Sequence, residues 1–355
     1  MKRIVLICIL SSIFLLAGCQ SAPRTVETDG IARTATEEEQ RLGELADTQD
    51  LETPEAILAE LPERWETSIV RNNGMEYSSD ATVSGGSVSD FISFDLVEKT
   101  MDANVLKHTL MGEQVGRAVL KDDLSAEGKQ YWAILDASGN RPVEELHYYV
   151  YDGNVPDFLD YLYDTMIYDD ENQTIQSNDD LPILSDDEAV SIAAEKLPEL
   201  GFAGMTVLNG INYQTEVTFY VIPQYTPLPI AVDQDNAIQT RMKITVSDGK
   251  ITELCGNGLF REIQNNVEIQ SALPFNGILA LAEEHLKTLD GDVPAVTGVS
   301  LRYRYAYDEQ TSVIHVQPVW YFEILPFSVE TSFGTGRKNC SFAIDAVDGT
   351  LYGGF

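Results

Sequence analysis

The chain has 355 residues, and 57 Asp and Glu against 23 Lys and Arg leave it a formal net charge of −34 at neutral pH. So acidic a surface repels nucleic acid and anionic lipid headgroups, so any membrane affinity has to come from something other than charge. With 44% hydrophobic and 9% aromatic residues the chain can bury a real core, and its length predicts two or three domains.

The first segment, 1–18, has Lys2 and Arg3 and then an apolar run from Ile4 to Leu16 that is interrupted only by Ser11 and Ser12. That run is short for a spanning helix and right for the hydrophobic core of a signal peptide. It closes on Leu16-Ala17-Gly18-Cys19, which resembles a bacterial lipobox. The resemblance implies cleavage before Cys19, a diacylglyceryl group on its sulfur (palmitate-type chains), and a body held on the extracytoplasmic face of the cell membrane through that lipid. The rival, an uncleaved anchor helix, sits badly with small Ala17 and Gly18 and with the polar residues that follow. Each buried methylene adds about 0.8 kcal/mol, so two acyl chains suffice as the sole anchor. Residues 19–52 read as a polar tether, with one short helix signalled by the capping-box spacing of Thr36 and Glu39.

Residues 53–168 read as a strand-rich N-terminal domain. Thr53-Pro54-Glu55 offers a cap, a proline at the first helical position and an acid in the first turn, predicting a helix to about Trp65. Short alternating runs at Phe91–Leu96, Tyr131–Leu135 and Glu145–Tyr151, with Ser84-Gly85-Gly86-Ser87 as a turn, predict strands. Phe158, Leu159, Leu162 and Ile167 predict a helix over 156–167, and 169–183 reads as an acidic linker.

Residues 184–262 open with Ser185-Asp186-Asp187-Glu188, a capping box ahead of a helical stripe of Ala189, Ile192, Ala193, Leu197 and Leu200. Strands are predicted at 206–213, 215–222, 241–246 and 251–255, the last two joined by the hairpin turn Ser247-Asp248-Gly249-Lys250. The same order recurs over 263–355: a helix at 274–289, strands at 299–307, 313–325 and 340–346, then Asp348-Gly349 and a last short strand at Leu351-Tyr352. Val221-Ile222-Pro223 and Val316-Gln317-Pro318 hold matching places, which makes a two-copy helix-plus-meander repeat. The expected class is α+β, with antiparallel meanders packed against helices.

The opening Ser185-Asp186-Asp187-Glu188-Ala189 and the ending Phe342-Ala343-Ile344-Asp345-Ala346-Val347-Asp348-Gly349 resemble the PepSY domain. With Pro318-Val319-Trp320-Tyr321-Phe322 before the last hairpin, the pair is also similar to the C-terminal regions of the YycH and YycI regulators of a Gram-positive sensor kinase. The resemblance covers about half the chain. It implies tandem PepSY-like repeats in a module that binds or inhibits another envelope protein or peptide, such as a protease or sensor kinase, with no catalytic residue or cofactor to carry over. The kinase regulators hold themselves by a spanning helix, whereas this chain has a lipobox.

The residues offer little reactive chemistry. Of four cysteines, Cys8 leaves with the signal and Cys19 takes the lipid, so Cys255 and Cys340 are left either to pair or to stay as buried thiols. No Cys-x-x-Cys or Cys/His cluster has zinc spacing, and His108, His147, His285 and His315 fit no catalytic motif. Ser247 and Lys250 have Ser-x-x-Lys spacing but fall in a hairpin turn instead of on a helix. The acidic runs around Asp169, Asp179, Asp186 and Asp233 lack the loop pattern of a calcium site and read as solvated loops. Tyr303, Tyr305 and Tyr307 alternate with Arg302 and Arg304, so the two sets lie on opposite faces of a strand. They form either a buried aromatic face or an exposed partner surface. The expected function is non-enzymatic binding in the envelope; the alternative is a wall- or carbohydrate-acting hydrolase using two carboxylates across a cleft.

Overall fold

The computed structural model describes residues 25–28, 31–34, 37–112, 118–124, 129–135, 142–149, 158–163, 168–169, 174–175, 184–231, 241–289, 291–308, 310–325, 327–331, 334–338 and 341–353. The apolar segment 1–18, Cys19 and Cys340 lie outside them.

After the hairpin β1 (Thr25–Thr28) and β2 (Ile31–Thr34) come helices α1 (Glu37–Ala46) and α2 (Pro54–Ala59). Strands β3 (Arg64–Val70), β4 (Glu76–Ser84) and β5 (Ile92–Glu98) precede α3 (Ala103–Met111). Four strands follow it: β6 (Val119–Leu124), β7 (Lys129–Leu135), β8 (Pro142–Tyr149) and β9 (Phe158–Tyr163). The two-residue strands β10 (Tyr168–Asp169) and β11 (Thr174–Ile175) lead to α4 (Asp186–Lys196). Next are β12 (Gly204–Asn212), β13 (Glu216–Gln224), β14 (Ile230–Ala231), β15 (Met242–Ser247), β16 (Lys250–Asn257) and β17 (Arg261–Glu268). After α5 (Phe275–Thr288) the chain runs through β18 (Val296–Asp308), β19 (Val313–Ile324), β20 (Phe327–Thr331), β21 (Gly334–Lys338), β22 (Phe342–Asp345) and β23 (Leu351–Gly353).

Two large sheets organise the fold, which is α+β as expected. The first is wholly antiparallel, in the order β12-β13-β15-β16-β9-β8-β7-β6. The second runs β17-β5-β19-β18-β4-β3, with β14 on β18, β22 on β19 and β23 on β22. The boundaries expected for 53–168 therefore do not enclose a domain. Strands β3 to β5 join the sheet built by 263–355, and β6 to β9 join the sheet built by 184–257. Alternation along a strand tells which face is buried but not which sheet it completes, so local pattern could not assign them.

The helix-plus-meander unit occurs three times in the backbone, after α3, α4 and α5. In the first sheet the α3 and α4 units meet through their last strands, β9 against β16. Two strands of the α3 unit are predicted from the sequence, but its helix is not, although its signals are present. Asp102 caps the helix by accepting from the Asn104 amide at 2.8 Å, Leu106 and Met111 are buried, and Gly112 ends it at φ +54°.

Local chemistry explains most element ends. The Thr53 hydroxyl accepts from the Ala56 amide and Pro54 begins α2, as the sequence predicts. The helix stops at Ala59, short of Trp65, because Pro62 disfavours helical geometry at Leu61; Trp65 lies buried in β3. The capping box at α4 is formed, with the Ser185 hydroxyl accepting from the Glu188 amide and the Glu188 carboxylate from the Ser185 amide. The helix expected over 156–167 is instead β9, in the middle of the first sheet. Its spacing of Phe158, Leu159 and Leu162 suits a helix, but Leu159 and Tyr161 are buried while Leu162 is exposed, a two-residue period imposed by neighbours β8 and β16.

Each sheet packs its helices on one face. Against the second lie α1 and α5, with Leu42, Ala46, Ile278, Leu281, Ala282 and Leu286 buried on Trp320, Phe322 and Phe342. A fully buried aliphatic side chain contributes about 1.5–3 kcal/mol, so α1 is structural and the expected tether 19–52 does not extend through it. Glu52 also forms a bridge to Ala272, and Arg41 pairs with Glu284. The first sheet carries α3 and α4 over Leu146, Tyr148, Leu159, Ile244 and Leu254. Both Asp-Gly turns are present. Asp248 and Gly249 take φ +50° and +69°, the double-positive geometry of a two-residue hairpin, while in the second turn Gly349 takes φ +74°.

Candidate functional site

The sequence-selected residues do not assemble into a site. Cys19 lies outside the described residues. Cys255 is a free, half-buried thiol on β16 of the first sheet, and Cys340, its expected partner, lies outside the described residues. The tyrosine and arginine strand is not an exposed partner surface. Tyr303 and Tyr305 are 1% and 5% exposed in the core, Tyr303 edge-on to Phe94 with its hydroxyl donating to the Asp90 carbonyl, and Tyr307 packs against the same core. On the opposite face Arg302 lies 4.1 Å over the Tyr321 ring and Arg304, itself buried, 4.0 Å over Tyr352. Burial of large phenol side chains outweighs any gain from exposing them, so the strand's alternation marks core. Ser247 is buried and its hydroxyl donates to the Thr215 carbonyl; with Lys250 it closes a hairpin.

A row of polar side chains crosses the helix-free face of the first sheet. Directly opposed pairs place Tyr131, His147, Asp160, Cys255, Lys243 and Tyr220 on successive strands β7, β8, β9, β16, β15 and β13. The row contains the ingredients of a thiol site in the wrong order. Asp160 stands between His147 and Cys255, whose strands are therefore two spacings, about 9.6 Å, apart, and an imidazole must lie within hydrogen-bond reach of the sulfur to activate it. Burial, with the carboxylates of Glu253 and Asp160, pushes the Cys255 thiol up, away from the reactive thiolate. Other members are held structurally. The Tyr131 ring stacks on His147 at 4.1 Å, Lys243 pairs with Glu253 at 2.5 Å, and Thr245 donates to the same carboxylate at 2.9 Å. Among the described residues no group of three or more His, Cys, Asp or Glu is placed to hold a metal ion.

The other face of this sheet holds a cleft of about 470 Å³ where the α3 and α4 units meet. Its floor is Glu144 of β8 and Tyr161 of β9, with the Tyr161 hydroxyl donating to Glu144 Oε1 at 2.7 Å. Its walls are the last turns of α3 (Thr109 to Gly112) and α4 (Ile192, Glu195, Lys196), and the Gly249-Lys250 hairpin closes one end. Glu144 is 4% exposed. Burial raises its pKa, opposed by the Tyr161 hydrogen bond and the Lys250 charge. Lys196 is engaged by Glu199 at 2.8 Å. The C-terminus of α3, bearing about half a negative charge, therefore faces the cleft beside Glu195 and Glu199, above a carboxyl that gains from a positive neighbour, while α4 runs on as a 3₁₀ turn over Leu197–Leu200. Sequence reasoning missed all of it. Glu144 stands beside Glu145 in a strand, and alternation alone could have placed one of the two inward.

The chain matches no family model and no curated protein sequence. Among solved structures it is similar to an uncharacterised protein from Eubacterium rectale ATCC 33656, at 15% identity and a TM-score of 0.45, covering 88% of this chain and 98% of that one. A more distant neighbour is the Bacillus megaterium YpeB C-terminal domain, at 13% identity and a TM-score of 0.32, covering 72% and 96%. Among the described residues no helix is long and apolar enough to cross a membrane.

Proposed function

We propose that the chain is a lipid-anchored, extracytoplasmic binding module of PepSY-like units that holds a segment of another envelope protein or peptide, modulating a protease or sensor kinase without chemistry of its own. One observation carries the reading: the cleft over Glu144 and Tyr161, walled by the C-terminus of α3 and by Glu195 and Glu199, is shaped and charged to take a cationic or hydrogen-bond-donating side chain from a partner. The row across the opposite face has reactive residue types in an order that cannot activate a nucleophile, which favours binding over catalysis. The lipobox at Cys19 supports the location.

A photo-crosslinking side chain in place of Ile192, on the cleft wall, tests the reading in intact cells. It should yield a discrete adduct with one envelope protein, whereas the same probe at exposed Val70 in the second sheet should not. Equal adducts from both positions, or none from the cleft, would reject it. A second reading rests on the raised pKa of Glu144, which suits a general acid, with Glu195 on the facing wall as its carboxylate partner in a hydrolase. Wall glycan turnover that Glu144→Gln abolishes would favour that reading instead.

A further inference from the structure

The free edge of the first sheet carries an inference independent of the cleft. Among the described residues β12 pairs only with β13, leaving its other side open. Its sequence, Gly-Met-Thr-Val-Leu-Asn-Gly-Ile-Asn, has no charged residue, in a chain where 23% of residues are charged. Open edges are ordinarily guarded by lysine, proline or inward charge, because unpaired amides and carbonyls recruit further strands. Here the one guard is a bulge between Val207 and Asn209, which confines the regular open ladder to residues 209–212. Ile211 lies there, and Tyr213, whose amide donates to the Glu216 carbonyl, follows directly after the ladder; they are 55% and 61% exposed.

The far end of this edge is strongly acidic. The Asn212 side-chain amide donates to Asp186 Oδ1 at 2.7 Å, tying the strand end to the first turn of α4, where Asp186 and Asp187 are both exposed. An uncharged ladder that carries exposed Ile211, with Tyr213 beside it, and runs into a pair of carboxylates is complementary to an extended chain with alternating apolar residues and a basic flank.

We propose that β12 is a docking edge, onto which a partner protein adds an extended segment as a new strand, with its apolar residues on Ile211 and Tyr213 and its basic flank on Asp186 and Asp187. Main-chain hydrogen bonds hold the segment, and alternate side chains select it. A second copy of this chain is a poor occupant, since its own β12 offers no cation and two bodies of charge −34 repel.

The test uses the full-length chain and a fluorescent ten-residue peptide of alternating valine and threonine with three lysines at one end, made in both orientations. Fluorescence anisotropy should show saturable binding of one orientation, with slowed hydrogen exchange at the Gly210 and Asn212 amides, which alternate with the Tyr213 amide bonded to Glu216 and so face the open side. A version with glutamates for the lysines, and one with central prolines that cannot extend a ladder, should bind at least tenfold more weakly. Ile211→Lys should abolish binding, as should Tyr213→Ser, and both side chains are exposed enough for the fold to survive. The double variant Asp186→Asn, Asp187→Asn should weaken binding about tenfold and flatten its salt dependence. Failure of both orientations to bind at millimolar concentration, equal binding by the proline peptide, or a dimer in sedimentation that Ile211→Lys dissolves would overturn the proposal. Binding that Ile211→Lys leaves intact but Glu144→Gln removes would assign the peptide to the cleft and overturn it too.

Discussion

Asp345 gives the sharpest test of how the second sheet is built. It is 5% exposed at the end of β22, and its Oδ1 accepts the amides of Val347 and Asp348 at 2.7 and 3.0 Å, shaping the turn into β23. Burial, and then the nearby Asp348 carboxylate, push its pKa from 3.8 up to about 7, against the pull of those amides and of Arg304. A carboxyl whose pKa is raised by folding binds its proton more tightly in the native state. Stability is therefore greatest below the unfolded value and falls as pH rises from about 4 to about 7. A rise of about three units corresponds to a penalty of about 4 kcal/mol at pH 8, an upper bound because local relaxation and water reduce it. Asp345→Asn keeps the oxygen that accepts both amides and removes the charge. The variant should gain stability relative to the parent as pH rises, with the gap widening by about 2–4 kcal/mol between pH 4 and pH 8. Urea unfolding of both proteins at the two pH values measures it, and referring each to the other cancels the many other carboxylates. A gap that does not change with pH would refute the argument. Asp348→Asn, at an exposed position, should shrink the slope without abolishing it.

Three further outcomes follow from particular contacts. Gly349→Ala meets a positive φ of +74° and puts its new methyl 2.8 Å from Ala46 Cβ and 2.9 Å from Leu281 Cδ1, so it should cost about 2–4 kcal/mol in urea unfolding; Gly249→Ala, at φ +69° in open space, should cost only about 1–2 kcal/mol. Cys19→Ala should move the protein from the membrane fraction to the soluble fraction and abolish palmitate labelling; retention in the membrane would require another anchor. Tyr161→Phe removes the hydrogen bond that partly offsets the burial of Glu144, so the carboxyl should titrate higher, read by carbon-13 NMR, and stability should fall by about 1–2 kcal/mol at pH 8.

The C-terminal half was the more legible one because each of its signals was local and agreed with its neighbours. Ser185 and Glu188 cap α4, Asp248-Gly249 turns the β15–β16 hairpin, and the stripe from Ile278 to Leu286 faces the core along α5. What failed was either a competing period or a contact distant in sequence. Phe158, Leu159 and Leu162 satisfy helix spacing, and only the strands on either side make them β9. Leu42 and Ala46 are too few to announce a core helix, and their burial depends on α5 some 240 residues later in the chain. For Tyr303, Tyr305, Arg302 and Arg304 the sequence correctly separated the two faces but left open which was wet. The structure buries the tyrosines in the core, Tyr303 against Phe94, and caps the arginines with Tyr321 and Tyr352.

The position of the cleft has a cause in the arrangement of the repeated units. In each unit of the first sheet a helix lies over its own meander, and antiparallel pairing of the last strands, β9 with β16, sets the two units back to back. The seam brings the C-terminal turns of α3 and α4 together over strands of both units, so Glu144 and Tyr161 come from one unit and Gly249, Lys250, Ile192 and Glu195 from the other. Neither unit alone encloses a cavity there. A carboxyl buried in such a seam is an arrangement that folding does not select for, since burial disfavours its charge and raises the Glu144 pKa. Such a cost persists where a ligand offsets it, and a cation entering the seam would relieve Glu144 and the C-terminus of α3 together. A partner that binds there would therefore also clamp the α3 unit to the α4 unit, raising the stability of the whole first sheet with the logarithm of its concentration over its dissociation constant.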